Sequence, residues 1–438
     1  MAIRIIETTD PLKDPAVLAV RDRLRVTTGG AAGADIAAAV RRIIEDVARR
    51  GDAALAALTA EFDGADVSPD GLRVSRERIA EAHQSADGAF LELVRRVAGN
   101  IREYQESILV KDPAPVHRGG REMAVRYTPV DRVGVYVPGM RALYPSTVLM
   151  TVVPAQVAAV NEIAMVSPPT GGDVNAMVLA LAGELGVTEV YRVGGAQAIA
   201  ALAIGTESIR KVDKIVGPGN PYVTEAKRQL FGQVGIDTIA GPSEVLIVAD
   251  DTAPPMLVAA DMLAQAEHDP GSAVLVTPSA KLGREVAAEI RSMLGGLERA
   301  GAIETALDAY SAIIIVDGMA AACEVANDFA AEHVQIITSD DADVLKRIRN
   351  AGAIFVGRHS PVPLGDYLAG PSHVLPTGGA ARFSGPLSCN EFLKASSIVT
   401  YDKASLAEDA DDVIDFATRE GLTAHAEAIR IRNPKTET

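Results

Sequence analysis

The run Arg132-Val133-Gly134-Val135-Tyr136-Val137-Pro138-Gly139 decides how this chain is read. Continuous apolar residues closed by Pro-Gly mark a buried strand that ends in a turn. Pro145-Ser146-Thr147 then opens a helix to about 160, with Pro154 as a candidate kink. The rhythm repeats: strand 163–166, helix 173–185, strand 189–193, then Gly194-Gly195-Ala196-Gln197 and a helix to about 204. Lys214-Ile215-Val216 is a short strand, followed by Gly217-Pro218-Gly219-Asn220 and a helix through 231.

Downstream the alternation restarts. Strands are expected at 244–248, 273–276, 313–316, 334–337 and 353–356, with helices at 254–268, 282–294, 319–330 and 341–349. Short apolar strands alternating with helices imply mostly parallel sheets covered on both faces. The fold class is therefore α/β, with two Rossmann-like parallel-sheet units. The two runs share a rhythm that hints at duplication, without a residue-level repeat.

Upstream, residues 1–130 read mainly as helices, notably 36–50 and 75–107. No strong strand precedes Thr28-Gly29-Gly30-Ala31-Ala32-Gly33, which argues against a phosphate loop there. His83 and His117 lie in polar surroundings and read as surface residues. Beyond Pro376 comes a small-residue linker, 378–386, then helical segments at 406–420 and 424–430. This small helical C-terminal tail lacks the apolar content for its own core and must dock, on the main body or on a second subunit. The expected division is a mainly helical region over 1–130, part of it packing on the second α/β unit; an α/β domain over 131–242; a second over 243–377; and a tail over 378–438.

Composition narrows the function. With 438 residues, 48% hydrophobic and 23% charged, the chain is globular and of multidomain length. A formal net charge of -16 argues against nucleic acid, which demands clustered Lys and Arg. A phosphorylated cofactor is still compatible, because backbone N–H groups can hold it. Cys323 and Cys389 have no metal-ligand spacing and read as ordinary buried thiols. With no signal-like N-terminus and no apolar run of about 20 residues, a cytoplasmic location is expected.

In open α/β sheets ligands bind beyond the carboxyl ends of the strands. The turns at Pro138-Gly139, Gly194-Gly195 and Gly217-Pro218-Gly219 can bring backbone amides to an anion, or can be tight turns with no ligand. No G-x-G-x-x-G fingerprint is present. In the second half, Gln265 and His268 lie three apart at the end of a helix, on one face. The pair can be two metal ligands, or a helix-end His with a solvent-facing Gln. Glu332-His333, Asp366, His373, Glu420 and His425 supply the remaining acid-base groups. A metal held by Gln, His and a carboxylate, beside a separate His-Glu pair, is sensible chemistry.

At these residues the chain resembles the histidinol dehydrogenase family. The resemblance is carried by Val133-Gly134-Val135-Tyr136-Val137-Pro138-Gly139, Gly194-Gly195-Ala196-Gln197-Ala198, Val216-Gly217-Pro218-Gly219-Asn220 and Ala240-Gly241-Pro242-Ser243-Glu244. It continues through Gln265-Ala266-Glu267-His268, Ala331-Glu332-His333, Gly365-Asp366-Tyr367, Ser372-His373-Val374-Leu375-Pro376-Thr377 and Glu420-Gly421-Leu422-Thr423-Ala424-His425. It implies oxidation of L-histidinol through histidinaldehyde to L-histidine, with two NAD in succession and one zinc per site. By matching motif, zinc is expected on Gln265, His268, Asp366 and His425. NAD is expected at Tyr136, Gln197 and Asn220. Ser243, His333, Glu420 and the zinc ligands are expected to contact substrate. His333 is expected to take the hydroxyl proton, and Glu332 to activate water on the aldehyde. The resemblance also implies a homodimer in which the tail, with His425, belongs to the partner's site.

Family members commonly carry a Glu four residues before the Asp of Gly365-Asp366; here the position is Val362, in Ser360-Pro361-Val362-Pro363. Val362 cannot accept a hydrogen bond from a substrate ammonium, which leaves Glu420 to supply that carboxylate. The alternative is a related zinc/NAD alcohol-to-acid dehydrogenase acting on another substrate, such as a sulfonated diol. The intact Glu420-to-His425 ending favours histidinol.

Overall fold

The computed structural model describes residues 3–25, 31–139, 145–239, 241–268 and 271–433, and the side chains of all of these but Ala31 and Ala32. The glycine turn at Thr28-Gly29-Gly30 and Ala240 lie outside the described residues. Contacts divide the chain into two compact units. One comprises residues 1–108 and 131–391, the other 109–130 and 392–438.

The first unit contains two parallel sheets. One has the spatial order Glu189–Arg192, Glu162–Ser167, Arg132–Tyr136, Lys214–Val216, Gly235–Ile236. Its central strand, Arg132–Tyr136, is buried along its whole length, which is why it reads as an unbroken apolar run. The second sheet runs Ile5–Glu7, Ala312–Ile315, Gly271–Thr277, Ser243–Ala249, His333–Ile337, Ala353–Val356, again all parallel. The α/β expectation with two parallel-sheet units holds.

Helices cover the sheets by apolar faces. Val40, Ile43, Val47, Leu55 and Leu58, from Ala31–Arg50 and Asp52–Asp63, share one buried apolar cluster with Tyr136 and Val166 of the first sheet and with Ile199 of the helix Gly195–Ile204. Val17, Val20 and Leu24, from Pro15–Leu24, pack with Leu246, Val274 and Ile314 on the second. The helical run expected over 75–107 is two helices, Arg76–Gln84 and Gly88–Ile108. The break falls where Asp87 Oδ1 takes the Ala89 N–H at 3.2 Å, so a side chain competes with helix continuation. His83 is half-buried and pairs with Glu184 at 2.8 Å, whereas His117 is exposed. Both cysteines are free and buried.

One turn beside the central strand depends on glycine. Gly217 has φ +112°, and a Cβ there would meet the Tyr136 carbonyl oxygen at 2.2 Å. No side chain fits that approach. The same turn is tied down by a buried ion pair: Lys227 Nζ lies 2.7 Å from Asp237 Oδ1, with side chains 4% and 3% exposed. Lys227 also donates to the Gly217 carbonyl at 2.5 Å, and the Gly217 N–H donates to Asp237 Oδ2 at 2.7 Å.

The second unit differs from the purely helical tail expected. Leu393–Tyr401 forms a nine-residue strand paired antiparallel with Arg121–Pro129, which in turn pairs with Val116–Arg118. Lys403–Arg419 and Thr423–Arg430 follow as helices, as expected. The strand shows no apolar alternation because most of it is exposed on both faces. Among the described residues no helix is long and apolar enough to cross a membrane.

Asp237→Ala would leave the Lys227 ammonium buried without its counter-charge. The expected cost is about 3–5 kcal/mol of unfolding free energy. It should show as a lower urea midpoint at unchanged m value. An unmoved midpoint would mean that the pair does not hold this turn.

Candidate active site

Three elements of the second sheet converge on one cluster. Ser243 opens the strand Ser243–Ala249, His333 opens the adjacent strand His333–Ile337, and Gln265 sits in the last turn of the helix Pro255–Ala266. Gln265 Nε2 donates to Ser243 Oγ at 2.7 Å, and Ser243 Oγ donates to Glu332 Oε2 at 2.7 Å. The Glu244 N–H gives the same carboxylate oxygen a second hydrogen bond at 3.0 Å. This chain fixes the amide of Gln265 with its nitrogen toward Ser243. Its carbonyl oxygen is the atom left for a ligand.

His333 is fixed equally well. Its Nδ1 lies 3.0 Å from the Glu244 carbonyl oxygen, which can only accept, so Nδ1 carries the hydrogen. The buried Nε2 has no hydrogen-bond partner among the described residues and keeps its lone pair. Asp366 Oδ1 is 4.0 Å from that nitrogen. Burial lowers the His333 pKa, keeping the ring neutral, the form a base requires. His268 is also pushed down, by burial first and then by His333, which favours the neutral, metal-ligating imidazole.

The carboxylic acids move the other way. Burial raises Glu332 to about 7 and Asp366 to about 6. A base poised near neutrality suits general acid-base catalysis. Two close backbone approaches build the cluster. A Cβ at Gly271 would meet the Gln265 carbonyl oxygen at 2.2 Å, and one at Gly352 would meet the Glu332 carbonyl oxygen at 2.6 Å.

A cavity of about 110 Å³ joins this cluster to the first sheet. Gly217, Pro218 and Gly219 line one side, and Ser243, Glu332, His373 and Thr377 the other. Burial pushes His373 down to about 4, and its Nε2 lies 3.0 Å from Ser146 Oγ. On the first sheet, the Gly195 N–H donates to the Tyr136 hydroxyl at 3.2 Å. Gln197 is buried, and neither of its amide atoms has a hydrogen-bond partner among the described residues. Asn220 is exposed, and its Oδ1 caps the next helix by accepting from the Tyr222 and Val223 N–H groups.

Thus Ser243, Gln265, Glu332, His333 and Asp366 are brought together, with His268 close enough for His333 to disfavour its protonation. Glu420 and His425 lie in the second unit, where they share a shallow groove with Val413 and Phe416. Among the described residues, no three His, Cys, Asp or Glu side chains group so as to hold a metal. Val362 is buried in the apolar cluster of Val245, Met262 and Ile337. The residue that the sequence reading passed over is Glu244, 2% exposed, the one acid in the apolar strand Ser243–Ala249. An acid within such a run was the available signal.

A family model described as histidinol dehydrogenase matches residues 28–433. The chain belongs to the histidinol dehydrogenase family. It is 50% identical over 401 residues to the histidinol dehydrogenase of Geobacillus kaustophilus, covering 91% of this chain and 94% of that one. To that of Rhodopirellula baltica it is 48% identical over 394 residues, with 90% and 86% covered. The crystal structure of histidinol dehydrogenase from Elizabethkingia anophelis superposes with a TM-score of 0.89 at 32% identity, covering 98% of each chain. Membership of this family makes the chain an oxidoreductase, a dehydrogenase.

The raised Glu332 pKa has a consequence for stability. Unfolded, the group ionises near its ordinary value of 4.5; folded, near about 7. Between those values the unfolded chain releases a proton that the folded one keeps, so stability falls as pH rises through that window. In metal-free protein, Glu332→Gln should therefore gain Tm over the parent from pH 4.5 to 7, with no gain below 4.5. Parallel Tm-against-pH curves would refute the shifted pKa.

Proposed function

We propose that this chain oxidises L-histidinol to L-histidine through histidinaldehyde, using two NAD in turn and one zinc ion that holds the substrate. The observation that carries the proposal is the buried Glu332–His333 pair, with His333 Nε2 unpartnered among the described residues and 4.0 Å from Asp366 Oδ1. His333 Nε2 takes the hydroxyl proton in each oxidation, its ring held in the required tautomer by the Glu244 carbonyl. Glu332, ionised near neutral pH, takes a proton from water as that water adds to the aldehyde. Ser243, donating to Glu332, orients the carboxylate toward substrate.

Gln265, His268 and Asp366 fit as zinc ligands of the first unit: an amide oxygen freed by the Ser243 contact, a neutral imidazole and a carboxylate. These are three ligands, so four-coordinate zinc would need one more from elsewhere, and His425 of the partner subunit would supply it. Bound there, zinc would chelate the substrate nitrogens and keep the aldehyde in place while cofactor exchanges. NAD would accept the hydrides, held near Tyr136, Gln197 and Asn220, with residues 131–242 as its domain and 243–377 as the substrate domain. The unpartnered Gln197 amide supports that placement. Glu420 of the partner subunit would face the substrate ammonium. Val413, Phe416, Leu422 and Ile431, all exposed, give the tail an apolar surface consistent with docking on a second copy in a homodimer.

Zinc-loaded protein should yield two NADH per L-histidinol, and a chelator should abolish this until zinc is restored. Protein silent on histidinol but active on a sulfonated diol would overturn the substrate assignment in favour of that alternative.

His333→Asn should lower kcat by about 10²–10⁴-fold, the usual worth of a general base, and His425→Ala should be inactive for want of a ligand. Mixing the two inactive variants and letting subunits exchange should restore activity, because a mixed dimer has one site with both histidines. Failure to complement, with exchange verified by mass, would overturn the shared site.

A further inference from the structure

Glu244 touches both members of the Glu332–His333 pair, and it does so from every part of the residue. Its N–H donates to Glu332 Oε2 at 3.0 Å and its carbonyl accepts from His333 Nδ1 at 3.0 Å. Its carboxyl Oε1 accepts from the Glu332 N–H at 3.2 Å and from the Gly378 N–H at 3.0 Å. The backbone contacts would survive any substitution. The side-chain contacts would not, and they link two segments that are distant in sequence. One is the start of the strand His333–Ile337; the other is the segment 373–377, which lines the cavity opposite Gly217 and Gly219. Beside it, the Gly241 N–H donates to Thr377 Oγ1, a second tie on the same segment.

A carboxyl group in so buried a place is costly unless it is neutral or well bonded. Burial, then the charge of Glu332, raises Glu244 to about 8, so near neutrality it is a protonated acid whose oxygen accepts two N–H groups. An apolar residue would fill the space at lower desolvation cost but would leave two buried N–H groups without acceptors.

We propose that Glu244 is a positioning residue for the oxidation: its carboxyl oxygen pins the backbone of Glu332 to the 377–378 segment, setting both the Glu332–His333 pair and the facing wall of the cavity. This rests on the role given above to Glu332 and His333. Because Glu244 acts as a neutral acceptor, Glu244→Gln keeps the function, whereas Glu244→Ala loses it.

The test compares zinc-loaded wild type, Glu244→Gln and Glu244→Ala. Expected are a kcat for Gln within about threefold of wild type, and for Ala about 100-fold lower, the scale for misplaced catalytic groups, with a much smaller change in KM for NAD. In the Ala variant NADH per histidinol consumed should fall from two toward one, with aldehyde captured by semicarbazide, because the water step depends most on Glu332. Hydrogen exchange of peptides spanning 331–334 and 373–379 should be faster in Ala and unchanged in Gln. Equal kcat in a folded Ala variant, equal loss in both variants, or unchanged exchange in Ala would each overturn the proposal. Wild type without NADH from histidinol would sink the assigned reaction, while the exchange measurement would still decide whether Glu244 holds the two segments.

Discussion

The candidate site depends on a carboxylate kept out of water. Glu332 is 6% exposed, and its Oε2 takes hydrogen bonds from both the Ser243 hydroxyl and the Glu244 N–H. Burial raises its proton affinity and the two donors lower it; burial is the larger effect, and the result lies near neutrality. The same two donors orient neighbouring groups. Ser243 turns the Gln265 amide, and the residue that gives the N–H also fixes the His333 tautomer through its carbonyl. One desolvated acid thus organises the Gln265 amide, the His333 ring and the strand ends beside them.

Those strand ends follow from the sheets. Ser243 pairs in register with Gly271, and His333 pairs with Val245 on one side and Ala353 on the other. Parallel register places all of these at one end of the second sheet. Glycine at 271 and 352 lets neighbouring backbone pass within a distance that a Cβ would forbid. The precision of the cluster therefore comes from rigid strand ends, with side chains supplying only the last hydrogen bonds.

The α/β alternation was legible because strands buried on both faces are continuous apolar runs, as in Arg132–Tyr136. Leu393–Tyr401 was not, since its exposed faces leave no periodic signal and its partner, Arg121–Pro129, is distant in sequence. Ile5–Glu7 is too short to show a period, and it joins a sheet whose next strand lies at Ala312–Ile315. For the site, residue types could be read directly, but the helix expected to run to 268 ends at Ala266, so Gln265 is in its last turn and His268 lies beyond it rather than on its face. The Ser243 bridge between Gln265 and Glu332 could not be read, because it spans three separate elements.

Val362 shows how composition and geometry divide the problem. It opens the short helix that carries Asp366, yet its side chain is spent in the apolar cluster with Met262 and Ile337. Met262 lies on the Gln265 helix and Ile337 on the His333 strand. The substitution thus joins the three elements that bear Gln265, His333 and Asp366 by apolar packing, where a Glu would need a polar partner to be buried.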